Sequence, residues 1–170
     1  AAFMRSTRFY GYDLDIWGSS FVMTKVQAAV GLVQLRKLDD FIAARRRLAL
    51  RRHELLADVP ELTLPIEPDD CVHSYYLYTC LICRKWAGEK RDKLIKMMFE
   101  EYGVKCLVAN PPAYTVRKYL RDRTPGQRLP LSEELGARLF CVPIHPIMSD
   151  DDNERICASL LDCIERLRRE

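Results

Sequence analysis

The chain has 170 residues, of which 48% are hydrophobic and 30% are charged, and its formal net charge is +3. This length suits one domain, and this balance of apolar and charged residues excludes an intrinsically disordered chain. A net charge of this size does not by itself indicate nucleic-acid binding, and the longest apolar run is far too short to span a membrane. The first residues lack the apolar segment of a signal peptide, so we expect a soluble, cytoplasmic protein.

Seven cysteines are an odd number for a disulfide framework, and most of them lie in apolar runs. This pattern is typical of reduced, buried thiols in a cytoplasmic protein. Cys80 and Cys83 form a C-x-x-C pair, but they lie on a predicted strand, where positions three apart face opposite sides. The pair therefore does not predict a zinc or redox site.

The N-terminal part of the chain combines a loop with a long helix. Residues 1–21 contain scattered glycines and serines and are predicted to form the loop. Residues 22–58 lack proline, which predicts one helix with a kink near Gly31. The second half of this helix has a narrow apolar stripe among arginines, whereas the first half is apolar on nearly all sides. Because the loop could not cover such a helix, the first half indicates a partner surface.

Two strands and a helix are predicted next. Residues 62–65 end in a proline and are typical of an edge strand, whereas residues 75–83 are apolar or aromatic on both faces, as in a central strand. A charged amphipathic helix is predicted over residues 88–102, with Gly103 at its C-cap. Residues 104–108 are predicted to form a further short strand.

The remaining elements complete the fold class. Residues 109–130 are rich in proline and predict irregular structure, with Ser132 as the N-cap of the helix that follows. Residues 140–144 are predicted to be extended, and Ser149, followed by three aspartates, is predicted to cap the last helix. This order of elements predicts an α+β two-layer domain, in which helices cover a small, mostly antiparallel sheet.

Signatures of a self-sufficient active site are absent from the sequence. It has no phosphate-binding loop, no dinucleotide fingerprint, no nucleophile elbow and no H-E-x-x-H motif. The histidines, His53, His73 and His145, lie far apart without metal-ligand spacing, and His53 is expected to be solvated among arginines. The lysines lie mostly on polar helix faces, where none is suited to Schiff-base chemistry. We therefore predict no metal site and no catalytic residue on this chain.

Four segments in a fixed order resemble a known family. Residues 27–35 read Gln-Ala-Ala-Val-Gly-Leu-Val-Gln-Leu, and residues 73–78 read HSYYLY. Residues 111–114 form a Pro-Pro-Ala-Tyr segment, and residues 142–146 read Val-Pro-Ile-His-Pro. These segments resemble the DegT/DnrJ/EryC1/StrS family of pyridoxal-phosphate-dependent sugar aminotransferases, over nearly the whole chain.

The resemblance implies a fold type I aminotransferase of which this chain is one part. Residues 22–170 would be its C-terminal, small domain, and residues 1–21 would be a loop linking it from a missing large domain. The family's Schiff-base lysine and the acidic partner of the pyridine nitrogen lie upstream of this loop. The cofactor implied for the intact enzyme is pyridoxal 5'-phosphate, and the implied assembly is a homodimer.

The resemblance also implies site residues. Ser20 stands at the family's asparagine position and would contact the cofactor phosphate across the dimer, whereas Val22 replaces the arginine of the same loop. Tyr114 occupies a position at which the family often has histidine. The candidate substrate contacts are His73, Tyr76, Asn110 and Tyr114.

Three hypotheses of function remain open from the sequence. The first is an aminotransferase domain whose intact enzyme moves an amino group from glutamate or glutamine to a keto-sugar nucleotide or an aminocyclitol precursor, without a nucleic-acid or membrane partner. The isolated chain would then be inactive. The second is a non-catalytic dimerisation or regulatory domain that pairs with a separate lysine-bearing chain. The third is a nucleic-acid-binding module that uses the arginines of residues 45–52, with steeply salt-sensitive binding.

Overall fold

A computed structural model describes residues 18–19 and 22–170. The protein divides between Asp39 and Asp40 into two compact units. No helix of the described residues is long and apolar enough to cross a membrane.

The first unit contains helix α1, Lys25–Arg36. Its N-cap is Thr24, whose hydroxyl accepts from the amide of Gln27 at 3.2 Å, while the side chain of Gln27 accepts from the amide of Thr24 at 2.9 Å. This capping box satisfies two amides that the helix itself leaves free. None of the residues of α1 is buried. The large hydrophobic side chains exposed on it are Val26, Val30, Leu32, Val33 and Leu35.

The predicted single helix over residues 22–58 is wrong. The chain leaves the first helix at Lys37, whose amide bonds to the carbonyls of Gln34 and Leu35, and helix α2 spans Leu38–Leu56. Gly31 lies inside α1, and the interruption comes six residues later. The interruption lies at Lys37 because the tight local hydrogen bonds of the last turn end α1 there.

The second unit contains a three-stranded antiparallel sheet in the order β1-β2-β3. Its strands are β1, Leu62–Thr63; β2, Tyr78–Ile82; and β3, Leu139–Val142. The predicted edge and central strands are thereby confirmed, although both are shorter than expected. The predicted strand over 104–108 is wrong, since that segment forms only one isolated bridge, from Leu107 to Cys141.

A short 3-10 helix, Arg84–Trp86, follows β2, and the described residues after it contain five α-helices. They are α3, Glu89–Tyr102; α4, Ala113–Val116; α5, Lys118–Arg123; α6, Pro130–Arg138; and α7, Asp150–Arg168. Helices α3 and α7 pack against each other. The apolar stripe of α7 is fully buried, as its spacing predicts, and consists of Ile156, Leu160, Cys163, Ile164 and Leu167. The α+β class with a small antiparallel sheet is confirmed.

Two of the three predicted helix caps are confirmed. Gly103 ends α3 in the left-handed region, at φ +68°, and Ser149 caps α7 by accepting from the amide of Asp152 at 3.0 Å. The predicted cap at Ser132 is wrong, because α6 begins two residues earlier, at Pro130. Proline is favoured at a first helical position, where its missing N–H costs no hydrogen bond.

Candidate functional site

Four of the five arginines of α2 are engaged inside the second unit. Arg47 pairs with Asp150, Arg51 pairs with Glu154, and Arg46 pairs with Glu67. A run of charges on a helix usually lies on its solvated face, but Arg52 is fully buried. Because these charges already face carboxylates or the core, they do not form a free basic surface of the kind that nucleic acid needs.

Arg46 holds the segment of residues 65–76, which we call the 65–76 loop. Its guanidinium donates to both carboxylate oxygens of Glu67, at 2.6 and 2.9 Å, and to the carbonyl of His73 at 2.9 Å. This two-pronged geometry is the arrangement in which arginine binds a carboxylate most specifically. The guanidinium also lowers the pKa of Glu67, chiefly through the hydrogen bond. The 65–76 loop is therefore tied to α2 at two places by one side chain.

His53 makes a third connection to the same loop. Its Nδ1 lies 2.7 Å from the carbonyl of Ala49, and its Nε2 lies 2.6 Å from the carbonyl of Pro65. The ring also packs edge-on against Tyr75 and Tyr78, at centroid distances of 6.1 and 5.6 Å. The expectation that His53 is solvated is therefore wrong, because the loop covers it.

The backbone of Tyr75 is left-handed, with φ at +46°, which is unusual for an aromatic residue. Its side chain is only 2% exposed, and its amide donates to Nδ1 of His73 at 2.9 Å, with the two rings 4.3 Å apart. The turn buries Tyr75 and leaves the neighbouring Tyr76 74% exposed. Sparsely populated backbone conformations of this kind cluster at ligand sites.

Asn110 and Tyr114 flank the two prolines of residues 109–117, which we call the proline loop. Asn110 is exposed and left-handed, with φ at +55°. The hydroxyl of Tyr114 donates to Glu133 at 2.6 Å and accepts from the amide of Leu129 at 3.1 Å. Arg128 and then Tyr114 lower the pKa of Glu133 to about 2. The hydroxyl of Tyr114 thus fixes the proline loop to the start of α6.

The candidate residues fall into two groups. His73 and Tyr76 share the 65–76 loop, and Asn110 and Tyr114 share the proline loop. No hydrogen bond among the described residues joins any two of the four. Ser20 lies outside the described residues.

Sequence reasoning missed the residues that position the first group. Arg46 and Glu67 lie 21 positions apart, and no local pattern pairs them. The available signal was a single acid between two prolines, in residues 65–68.

Two of the cavities among the described residues of the second unit bear on the position of the site. One of about 400 Å³ is lined by Tyr114, Arg121, Thr124, Arg128 and Glu133, next to the proline loop. A larger one of about 780 Å³ lies between the end of α3, the turn at His145 and the first half of α7. None of the four candidate substrate contacts lines the larger cavity, so its size does not identify the site.

Two cofactor-related features can be tested on the described residues. No lysine is buried, and Lys90, which is half-buried, donates to the carbonyl of Leu167 and lies over the ring of Trp86. A dry pocket that would lower the pKa of a Schiff-base lysine is therefore absent from this part of the chain. No three His, Cys, Asp or Glu side chains of residues 18–19 and 22–170 are grouped as metal ligands.

A family match covers the four sequence segments at residues 27–35, 73–78, 111–114 and 142–146. Residues 3–161 match the DegT/DnrJ/EryC1/StrS aminotransferase family. The chain belongs to this family. Its members are pyridoxal-phosphate-dependent enzymes, as the resemblance of the four sequence segments implied.

Individual members of the DegT/DnrJ/EryC1/StrS family give the extent of the likeness. A dTDP-4-dehydro-2,3,6-trideoxy-D-glucose 4-aminotransferase of Saccharopolyspora spinosa is 32% identical over 161 residues, which cover 94% of this chain and 40% of that protein. DesI, whose crystal structure was solved in the presence of its TDP-sugar product, is 26% identical in sequence to this chain. The two structures superpose with a TM-score of 0.80 over 99% of this chain and 44% of DesI. The fold is also that of PseC of Helicobacter pylori, with a TM-score of 0.80 at 22% identity over 96% of this chain and 45% of PseC. The chain thus spans less than half the length of these relatives.

Proposed function

We propose that this chain is the small, C-terminal domain of a pyridoxal-phosphate-dependent sugar aminotransferase. The intact enzyme transfers an amino group from glutamate or glutamine to a keto-sugar nucleotide or an aminocyclitol precursor. Residues 1–21 link a large domain to the small domain, residues 22–170. The observation that carries the proposal is the family match over residues 3–161, since the relative that is 32% identical is a dTDP-sugar aminotransferase.

In this proposal pyridoxal phosphate stabilises the carbanion when it is bound, and the large domain supplies the lysine that holds it. The absence of a buried lysine among the described residues supports that division. The hydroxyl of Ser20 contacts the cofactor phosphate across a homodimer, whereas Val22 has no hydrogen-bonding group to offer there. The seven free thiols support a cytoplasmic location.

The two loops contact the sugar. His73 and Tyr76 lie on the 65–76 loop, which Arg46 holds in place, and Tyr76 is largely exposed. Asn110 is exposed at the start of the proline loop. The hydroxyl of Tyr114 gives its hydrogen to Glu133, so toward a ligand it can act only as an acceptor.

Mass spectrometry of the intact chain after treatment with pyridoxal phosphate and borohydride tests whether the lysine that holds the cofactor lies outside this chain. We expect no stoichiometric adduct on the 170-residue chain. The chain joined to its lysine-bearing domain should carry one adduct, on that domain, and should form an amino sugar from a keto-sugar nucleotide and glutamate. A single stoichiometric adduct on a lysine of this chain, preceded by the matching absorbance, would overturn the proposal.

A non-catalytic dimerisation or regulatory domain is the alternative, and the exposed apolar side chains of α1 favour it. Val26, Val30 and Val33 are each exposed on that helix. The gene sequence upstream of this chain discriminates between the two proposals. A reading frame that continues upstream into a glycine- and lysine-containing domain supports the aminotransferase, whereas a separate lysine-bearing chain supports the alternative.

A further inference from the structure

One hydrogen bond assigns the tautomer of His73. The amide of Tyr75 donates to Nδ1 of His73 at 2.9 Å. A backbone amide can only donate, so Nδ1 must be the unprotonated acceptor of the ring. The proton of the neutral imidazole is therefore on Nε2.

The backbone around this ring is held from α2. Nη1 of Arg46 donates to the carbonyl of His73 itself, and Nη2 donates to the carboxylate of Glu67 on the same loop. The ring of Tyr75, packed 4.3 Å from that of His73, is buried against His53. The orientation of the imidazole thus depends on a contact that Arg46 makes to the same residue.

Nε2 is the ring nitrogen of His73 that remains for a ligand. It has no hydrogen-bond partner among the described residues, and His73 is only half-buried. Tyr76, three residues further along the same loop, is exposed. A fixed N–H on a partly exposed side chain can recognise an oxygen that accepts a hydrogen bond.

We propose that His73 is a specificity-determining hydrogen-bond donor, whose Nε2–H binds an oxygen of the sugar nucleotide, and that Arg46 is the residue that positions it. The proposal rests on the proposed function for the identity of the ligand. The accepting oxygen belongs either to the sugar hydroxyls or to the diphosphate, since both accept from an N–H. A group that donates from a fixed tautomer favours ligands with an acceptor at that point and disfavours those without one.

The tautomer is measured without any substrate. Nitrogen-detected imidazole NMR on the 170-residue chain distinguishes protonated from unprotonated ring nitrogens, and single-histidine substitutions assign the three rings. We expect neutral His73 to be protonated on Nε2. Arg46→Ala should give a mixture of tautomers at His73, whereas Arg47→Ala, which removes a neighbouring arginine paired with Asp150, should not. An Nδ1-protonated ring in the unaltered chain would overturn the assignment, and an unchanged ring in Arg46→Ala would overturn the role of Arg46.

The donor role is measured by binding. In the chain joined to its lysine-bearing domain, His73→Phe should weaken the binding of dTDP-glucose by about tenfold, the equivalent of one lost hydrogen bond of about 1.4 kcal/mol. His73→Asn should recover most of this loss, because its amide can accept from Tyr75 and still donate outward. With dTDP as the probe, an equal loss in His73→Phe assigns the oxygen to the diphosphate, and no loss assigns it to the sugar.

Two results separate this inference from the proposed function. If neither probe binds the parent enzyme, or if His73→Phe binds dTDP-glucose as tightly as the parent, the donor role is wrong. If dTDP-glucose binds through His73 but no amino sugar forms from any keto-sugar nucleotide, the proposed function is wrong and the donor role stands.

Discussion

The guanidinium of Arg52 on α2 donates from Nε to Oδ1 of Asn153 on α7 at 2.6 Å, and both side chains are fully buried. Arg52 also donates to the carbonyl of Pro143 at 2.6 Å, and Asn153 donates to the carbonyl of Leu48 at 3.1 Å. No carboxylate accepts from this guanidinium among the described residues, and it lies over the ring of Tyr78 instead. Burial lowers the pKa of Arg52, because desolvation disfavours the charged guanidinium. Its hydrogen bonds to the neutral oxygens of Asn153 and Pro143 partly offset this loss of hydration.

Removal of this guanidinium should destabilise the second unit. Arg52→Ala leaves the Asn153 amide oxygen and the Pro143 carbonyl without a donor, so we expect the free energy of unfolding to fall by about 3 kcal/mol. Urea denaturation followed by circular dichroism measures it. Arg51→Ala is the control on the same helix and should have little effect, because exposed ion pairs contribute little. Equal losses in the two variants would contradict the role of Arg52.

Gly136 on α6 is required by its contact with the proline loop. A Cβ at this position would lie 2.5 Å from Cδ of Pro112, and a proline ring cannot swing away. Gly136→Ala should therefore displace the proline loop and lower the free energy of unfolding by about 1–3 kcal/mol. Gly31→Ala is the matched control, since nothing lies within 4 Å of its Cβ position, and it should increase helicity. An unperturbed NMR spectrum of the proline loop in Gly136→Ala would contradict the prediction.

The carboxyl of Glu133 should titrate far below its usual range. Its pKa is about 2, because Arg128 and Tyr114 donate to the ionised form. A lowered folded-state pKa means that this contribution to stability is present above the ordinary value, 4.5, and is lost as the pH falls toward 2. Carbon NMR of the carboxyl should show an upward shift of the pKa in Tyr114→Phe and a larger one in Arg128→Gln.

Arg84→Gln provides the control for this titration. Arg84 binds the neighbouring Glu134 and should leave the titration of Glu133 where it is. A pKa of Glu133 near 4.5 in the unaltered chain would contradict the arrangement around Tyr114.

Thiol reactivity should single out Cys71. It is the one exposed cysteine of the seven, whereas Cys80 and Cys106 are buried and burial raises the pKa of each to about 12. Because the thiolate is the reactive form, iodoacetamide at neutral pH should add one group quickly in the folded chain. Cys71→Ser should remove this fast adduct, as measured by intact-mass spectrometry, and rapid labelling of Cys80 would contradict the burial.

The exposed apolar side chains of α1 predict self-association of the isolated chain. Val26→Glu combined with Val30→Glu should lower the apparent mass in sedimentation experiments, because both valines are exposed on α1. A double substitution of Lys118→Glu and Arg121→Glu on α5 is the control for added acid. A monomeric parent chain at all concentrations would contradict the prediction.

Local sequence determined much of this protein. The edge and central strands, the Gly103 and Ser149 caps and the buried stripe of α7 follow from patterns that span a few residues. The α+β class and the family follow from the order of such patterns along the chain. Capping and amphipathic periodicity act within one or two turns, so neighbouring residues suffice to specify them.

Tertiary structure decided which charged and aromatic groups are buried and which partners they bind. Arg52 and His53 read from the sequence as members of a solvated arginine helix, yet their partners lie at Asn153, 101 positions away, and at Pro65. The sequence pattern likewise does not predict the hydrogen bonds that Arg46 donates to Glu67 and to the carbonyl of His73. A local pattern specifies which face of a helix is apolar, but whether a charge on it is buried depends on acceptors that only the packed chain brings within hydrogen-bonding distance.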